Sequence, residues 1–288
     1  MKQAIRSKYR EIAFRQVQGS SSCCGSHGKD PVCSDLYDVP QTASVPEHAL
    51  KVSLGCGNPT ALAELKPGEV VLDLGCGGGI DVLLAAQQVG PHGKVYGLDM
   101  TTAMLDLARE NQRKAGLQNI EFLEGEMENI PLPDGSVDVI ISNCVVNLSP
   151  DKDRVFREAF RVLRPGGRLA ISDIVVRGEP PAGIRRSIGL WIGCLAGALE
   201  ESDYRRRLEA VGFCEIRIQP TRSYRAEDAR EFLSEAGVDV DALRTQWSGC
   251  FLSAFVGARK PCGRDGVVPR RQAVVSSLRS LTGEEPFR

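Results

Sequence analysis

A glycine-rich turn between an apolar strand pattern and a helical pattern constrains the fold of this chain more than any other feature. The segment EVVLDLGCGGG (69–79) runs directly into IDVLLAAQQVG, and strand and helix patterns then alternate as far as RLAISDIVV (168–176). Strands separated by single helices pair in parallel through right-handed crossovers, with helices on both faces of the sheet. The sequence therefore predicts a doubly wound α/β core over roughly residues 46–177.

The segments outside this core have different compositions. Residues 1–45 begin with a charged helical pattern, MKQAIRSKYREIAFRQ, and continue into a loop rich in Gly, Ser and Cys. Residues 178–260 alternate helix and strand patterns and predict a smaller C-terminal α+β region that contributes to the substrate site. Residues 261–288 carry Gly, Pro and charge with little periodicity, so we expect a disordered tail.

Charge and hydropathy exclude several classes of partner. The 288 residues include 36 basic and 37 acidic side chains, a net charge of -1, which gives no basic field for nucleic acid or an anionic membrane. No apolar run reaches the roughly 18 to 20 residues of a membrane span, and the N-terminus lacks the apolar centre of a signal peptide. We therefore expect a cytoplasmic protein, in which the ten cysteines serve as thiols or ligands before they serve as structural disulfides.

The glycine turn also predicts a cofactor site. Its glycines let a ligand approach the backbone, and the following helix offers unpaired N–H groups. Asp99 ends the next strand, where a carboxylate can accept both hydroxyls of a ribose. The turn reads D-x-G-x-G-x-G from Asp73, which differs from the G-x-G-x-x-G of nicotinamide cofactors and fits a pyrophosphate less well.

Together with GEMENIPLPDGSVDVII (125–141), these residues resemble the class I S-adenosylmethionine-dependent methyltransferases. The resemblance covers roughly residues 68–176 and implies a Rossmann-like fold with S-adenosyl-L-methionine as cofactor. It implies that Asp99 binds the ribose and that Asn143 lies near the sulfonium. It further implies a methionine end lined by Asp73, Gly75 and Gly77, and an adenine site formed by Met100, Glu126 and Met127.

Three cysteines stand in distinctive contexts: Cys56 in SLGCGNP, Cys144 in SNCVVNLSP and Cys194 in GCLAGAL. These segments resemble the arsenite methyltransferases. The resemblance implies that the three thiols bind trivalent arsenic, with arsenite and methylarsenite as substrates, thioredoxin or glutathione as thiol reductant, and arsenic detoxification as the role. It also implies accessory thiols upstream, for which Cys23 and Cys24 are the candidates.

The chemistry accounts for the residue type, because trivalent arsenic is a soft centre that thiolates select and carboxylates do not. Thiolate-bound arsenic keeps a lone pair directed away from the sulfurs, so no general base is needed for attack on a sulfonium methyl group. Three alternatives stay open. The cysteines can be buried packing residues; the enzyme can methylate a small organic acceptor such as a quinone or sterol precursor; or the chain can be a non-catalytic metalloid-binding protein.

Overall fold

A mixed eight-stranded β-sheet forms the centre of the structure. The computed structural model describes residues 2–17, 46, 55–178, 195–224 and 250–263. The spatial order of the strands is β3-β2-β1-β4-β5-β8-β7, with the short β6 paired to β5. The strands are β1 (Val70–Leu74), β2 (Lys94–Asp99), β3 (Ile120–Glu124), β4 (Val137–Asn143), β5 (Leu163–Val176), β6 (Leu199–Glu200), β7 (Cys214–Ser223) and β8 (Phe251–Arg259).

The first five strands pair in parallel and confirm the predicted doubly wound core. From β1 the chain proceeds outward to β2 and β3, and then crosses back to place β4 on the other side of β1. The loops that leave β1 and β4 therefore diverge and open a crevice at the carboxyl ends of these strands, which is where doubly wound folds bind ligands.

The strands of the predicted C-terminal region extend the same sheet in the antiparallel sense. β8 pairs with β5 over nine consecutive positions, from Arg168 opposite Arg259 to Val176 opposite Phe251, and β7 pairs with β8. The carboxyl half of β5 is thereby hydrogen-bonded to β8 while it leads toward the crevice. Residues at that end of β5 are consequently held in a fixed register.

Helices cover both faces of the sheet. α3 follows the glycine turn and is buried nearly all round, with Val82, Leu83 and Ala85 fully inaccessible to solvent, as expected for an apolar helix between sheet and outer helices. On the opposite face Phe156 packs on Tyr204 with ring centroids 5.3 Å apart. The helices are α1 (Lys2–Val17), α2 (Pro59–Leu62), α3 (Ile80–Val89), α4 (Thr102–Ala115), α5 (Lys152–Val162) and α6 (Glu201–Val211).

α5 ends shortly before Pro165 and Gly166, which follow it in the chain. The helix ends at Val162, and β5 already begins at Leu163, which pairs with Val137. Leu163 is fully buried, and a residue that precedes proline, here Arg164, is disfavoured in the helical region. Sheet pairing and the proline together end the helix before the proline itself is reached.

The N-terminal helix α1 lies against the crevice. Its Ile5 is buried in one apolar cluster with Cys56, Cys144 and Leu148. Its Lys2 forms ion pairs with Glu126 at 2.8 Å and Glu128 at 3.1 Å. Among the helices of the described ranges, none combines the length and the apolar character needed to cross a membrane.

Candidate active site

A cleft of about 640 Å³ opens at the carboxyl ends of β1 and β2. α1 contributes Lys2, Ile5 and Tyr9 to its wall, a contribution that the sequence did not predict. Six of the eight residues expected to bind the methyl donor line this cleft, namely Gly75, Gly77, Asp99, Met100, Glu126 and Met127. The structure thus brings together side chains from three separate loops at one concave surface.

Asp99 organises the entrance to the glycine turn. Its Oδ2 accepts a hydrogen bond from the Gly77 N–H at 3.0 Å, and its Oδ1 accepts one from the Thr101 N–H at 2.8 Å. Burial raises the pKa of Asp99, while these backbone donors act in the opposite direction. The carboxylate therefore fixes the backbone on both sides of the cleft and lines the cleft itself.

Three carboxyl groups meet beneath the glycine turn. Asp73 is 2% exposed in β1, and its pKa is raised well above the ordinary value by burial and by the neighbouring charges of Asp81 and Asp99. Asp81, from the first turn of α3, is also buried. Crowded carboxylates repel one another, and a cationic ligand relieves that repulsion. S-adenosylmethionine carries an ammonium and a sulfonium group, so the charge of the site fits this donor.

The glycines of the turn fit a close ligand as well. Gly77 has φ of +50°, and a Cβ placed there would contact no heavy atom within 4 Å among the described residues, so the peptide faces open space. Gly75 has φ of +71°, and a Cβ there would lie 2.3 Å from the side chain of Val145. Gly77 therefore leaves room for the donor, and Gly75 lets the loop after β4 pack against the turn.

The segment around Cys56 packs directly on the end of β4. A Cβ on Gly55 would lie 2.2 Å from the Asn143 side chain, and one on Gly57 would lie 2.6 Å from the Ser172 hydroxyl. The Asn143 Oδ1 accepts hydrogen bonds from the N–H groups of Cys56 at 3.0 Å and Gly57 at 3.3 Å. The glycines in GCG are therefore needed for this close approach, which fixes Cys56 over the sheet.

Cys144 is positioned by an unusual backbone conformation. It has φ of +60°, a left-handed value that costs a non-glycine residue roughly 1 to 2 kcal/mol. A hydrogen bond of 2.7 Å from its N–H to the carbonyl of Ser172 in β5 holds the turn. Such strain at the end of a core strand is typical of functional positions.

The two described cysteines of the predicted set lie together. Cys56 and Cys144 are 2% and 3% exposed. Their Sγ atoms and a carboxylate oxygen of Asp173 all lie within 4.8 Å of one another. Cys194, Cys23 and Cys24 lie outside the described residues. The structure thus brings together two thiols that are 88 positions apart in the chain.

Buried ionisable groups surround these thiols. Burial raises the pKa of Asp173 to about 8, although the nearby Lys152 ammonium lowers it. Burial also raises the pKa of the Tyr204 hydroxyl, as does the charge of Asp173. The pKa of Tyr224 is raised mainly by burial, and its hydroxyl shares a hydrogen bond with Ser253. The thiol site is therefore enclosed rather than open to bulk water.

Asp73 and Asn143, the other two residues expected to bind the methyl donor, lie beside the cleft and make contacts within the protein. Asp73 is buried in β1, and Asn143 bridges Asp81 and the Gly57 carbonyl through its Nδ2, at 3.1 and 2.7 Å. Glu126 accepts hydrogen bonds from Lys2 and Arg6, and the bond from Lys2 is the main cause of its lowered pKa.

Sequence reasoning missed two buried acids of the site, Asp81 and Asp173. Each carried a signal, because each is the only charged residue within a largely apolar segment, IDVLLAAQQV and AISDIVV respectively. Charged residues are almost never fully buried unless they are paired or functional.

The chain is similar to known methyltransferases. Residues 65–212 match the family model of a methyltransferase domain. An arsenite methyltransferase of Halobacterium salinarum is 42% identical over 279 residues, which cover 92% of this chain and 68% of that protein. An arsenite methyltransferase of Aquipseudomonas alcaligenes is 42% identical over 76% of this chain and 63% of its own length. The chain therefore spans about two thirds of these relatives.

A solved structure agrees with these relatives. The crystal structure of an arsenic(III) S-adenosylmethionine methyltransferase from Chlamydomonas reinhardtii superimposes with a TM-score of 0.62 at 37% identity. The match covers 77% of this chain and 72% of that chain. From the glycine turn, the paired thiols and these similarities, the chain belongs to the arsenite methyltransferase family of S-adenosylmethionine-dependent methyltransferases.

Proposed function

We propose that the chain transfers methyl groups from S-adenosylmethionine to trivalent arsenic held by Cys56, Cys144 and Cys194. The observation that carries this proposal is the pairing of the Cys56 and Cys144 sulfurs next to the donor cleft. Val145 and Leu148, which follow Cys144 in the chain, line that cleft. A thiophilic atom held at this end of β4 is therefore adjacent to the bound donor.

The residues of the chain contribute mainly by orienting the reactants. When bound, S-adenosylmethionine supplies the methyl group as an electrophile. Asp99, Met100 and the glycine turn hold the donor, and the thiolates hold arsenic with its lone pair directed away from the sulfurs. Correct orientation of two reactants contributes up to roughly 7 to 11 kcal/mol to a reaction barrier. No proton has to be removed from arsenic, so the enzyme requires no general base for the transfer.

We also propose that catalysis requires a thiol reductant such as thioredoxin or glutathione. Neighbouring thiols without bound arsenic can oxidise by exchange, and a disulfide removes arsenic ligands. Cys23 and Cys24 are proposed as accessory thiols in this exchange. The requirement for reduced thiols favours a reducing, cytoplasmic setting.

The test is to incubate the purified chain with arsenite, S-adenosylmethionine and glutathione, and to separate methylated arsenic species by chromatography with elemental detection. Methylarsenicals are expected from the wild type and not from Cys144→Ser, because oxygen is a poor ligand for a soft centre. Cys214→Ser is the matched control. Its thiol donates to the Arg259 carbonyl at 3.4 Å in the β7–β8 pair, apart from the cluster that contains Cys144.

Two results would contradict the proposal. Arsenite binding without methyl transfer would indicate a metalloid-binding protein, although such a protein would not need the donor cleft. Transfer to a quinone or sterol precursor that is unaffected by Cys144→Ser would indicate an organic acceptor instead.

A further inference from the structure

Asp173 is a charged residue in the middle of a fully buried strand. It has no solvent-exposed surface, and it is opposite Ala254 in the β5–β8 register. Its Oδ1 accepts a hydrogen bond from the Ile174 N–H at 3.1 Å. Within the described ranges, its Oδ2 has no hydrogen-bond partner. A buried acceptor without a partner destabilises the folded state, so such groups need an explanation.

The position of Asp173 explains why an acceptor without a partner is present here. A carboxylate oxygen of Asp173 and the sulfurs of Cys56 and Cys144 are mutually within 4.8 Å, so a single small ligand can contact all three. Any atom bound to both sulfurs therefore brings its remaining substituent close to a carboxylate.

We propose that Asp173 binds the substrate directly, by accepting a hydrogen bond from the hydroxyl group that remains on arsenite when Cys56 and Cys144 are its first two ligands and Cys194 has not yet displaced the third hydroxyl. This inference rests on the proposed function and adds a residue that distinguishes inorganic arsenite from methylarsenite.

The ligand exchange explains the distinction. Arsenite has three hydroxyl groups on arsenic. In each exchange an As–S bond forms, an As–O bond breaks, and the thiol proton leaves with the hydroxyl as water, with no change in oxidation state. After two exchanges arsenite retains one hydroxyl. Methylarsenite has only two hydroxyls, so after two exchanges it retains a methyl group and cannot donate a hydrogen bond.

An aspartate fits the role of hydrogen-bond acceptor for the arsenite hydroxyl better than the role of arsenic ligand. A carboxylate is a hard donor that soft trivalent arsenic does not favour, but it is a strong acceptor for a hydroxyl. The Ile174 N–H already fixes one oxygen, so the carboxyl plane is oriented before the substrate binds.

The experiment compares steady-state rates of Asp173→Asn with arsenite and with methylarsenite. The asparagine oxygen can keep the hydrogen bond from Ile174, and the amide nitrogen then replaces the unpaired carboxylate oxygen. We expect the KM for arsenite to rise roughly two- to tenfold, the usual effect of losing one hydrogen bond, and the KM for methylarsenite to change by less than this, so that the ratio of the two shifts.

The ratio of the two KM values is the decisive quantity, because it does not depend on the fraction of the variant that is correctly folded. Asp173→Ser, which is smaller and uncharged, should shift the ratio in the same direction if Asp173→Asn yields no active protein. Asp81→Asn is the matched control. It replaces a buried carboxyl on the donor side, so it should change the rates with both acceptors equally.

An unchanged KM ratio in Asp173→Asn and Asp173→Ser, or equal losses with both acceptors, would overturn the proposal. So would a wild-type KM ratio that shifts to the value of Asp173→Asn when EDTA is added, since the carboxyl would then act through a bound metal ion. If the wild type methylates neither acceptor, the proposed function itself fails. If it methylates both and the ratio does not shift, only the role of Asp173 fails.

Discussion

Replacement of Asp99 by asparagine tests the placement of the donor most directly. Each oxygen of the carboxylate accepts one backbone hydrogen bond, from Gly77 at 3.0 Å and from Thr101 at 2.8 Å. Asp99 also lines the cleft, where its oxygens can accept further hydrogen bonds. In Asp99→Asn one oxygen becomes an NH₂ group, which cannot accept from either backbone N–H. The variant therefore loses a charged acceptor for the ribose and weakens one anchor of the glycine turn.

The expected loss of donor affinity follows from these contacts. Hydrogen bonds to a charged group contribute about 1.5 to 3 kcal/mol each, which corresponds to roughly 10- to 150-fold in the dissociation constant. Isothermal titration calorimetry with S-adenosylhomocysteine measures this directly. Asp106→Asn is the matched control, because Asp106 is exposed on α4 and pairs only with Arg109 among the described residues.

An analogue without the ribose 2′-hydroxyl separates the ribose contact from damage to the turn. If Asp99 binds the ribose, the analogue should lose affinity for the wild type but little further affinity for Asp99→Asn. Donor affinity that is unchanged within about twofold in the variant would refute the assignment of Asp99.

Three further predictions concern the thiols, the N-terminal helix and the pH dependence of stability. Cys56→Ser should strongly reduce the rate of arsenite methylation but largely preserve the rate of methylarsenite methylation, since methylarsenite needs only two thiols. Initial rates with both acceptors measure this, and equal losses with both would contradict it. Lys2→Met should raise the KM for the donor several-fold by removing the ion pair to Glu126 on the cleft wall, and the same KM should rise with salt in the wild type only. Glu69→Gln should lower the free energy of unfolding by about 1.5 to 3 kcal/mol at neutral pH. Burial raises the pKa of Glu69, but the hydrogen bonds from Arg168 and from the Lys66 N–H, together with the charge of Arg168, outweigh burial and lower the pKa below 4.5. The folded state therefore binds the proton less tightly than the unfolded state, so the stability difference is present above pH 4.5 and should narrow in urea titrations at lower pH.

The parallel half of the fold was predictable because its determinants are local. Strand and helix patterns, the glycine turn and the acid at the end of β2 each lie within one short segment, and together they predict a donor cleft. The antiparallel strands were recognised as strands, but the hydrophobic period of β7 and β8 carries no information about the strand that they pair with. Their continuation of the same sheet depends on long-range pairing.

The thiol site was predictable only in part for a related reason. The motifs around Cys56 and Cys144 identified two candidate ligands through family resemblance, but no local pattern places them beside Asp173. That contact depends on the register of β4 against β5, in which Asn143 is opposite Ser172, and on the glycines that let the Cys56 segment approach. The apolar residues of AISDIVV correctly predicted a strand, but this pattern gave no indication of a role for the one acid within it.

The position of Asn143 shows how the two halves of the site are coupled. Its Nδ2 donates to Asp81 in the acidic group beneath the donor cleft, and its Oδ1 accepts from the backbone of Cys56 and Gly57. The residue that follows it is Cys144. One side chain thus connects the donor side with the backbone of Cys56, and the peptide bond connects it to Cys144. A shift of the end of β4 would move both thiols relative to the donor cleft. Under the proposed function, the distance between sulfur-bound arsenic and the methyl group is therefore set by the sheet rather than by a flexible loop.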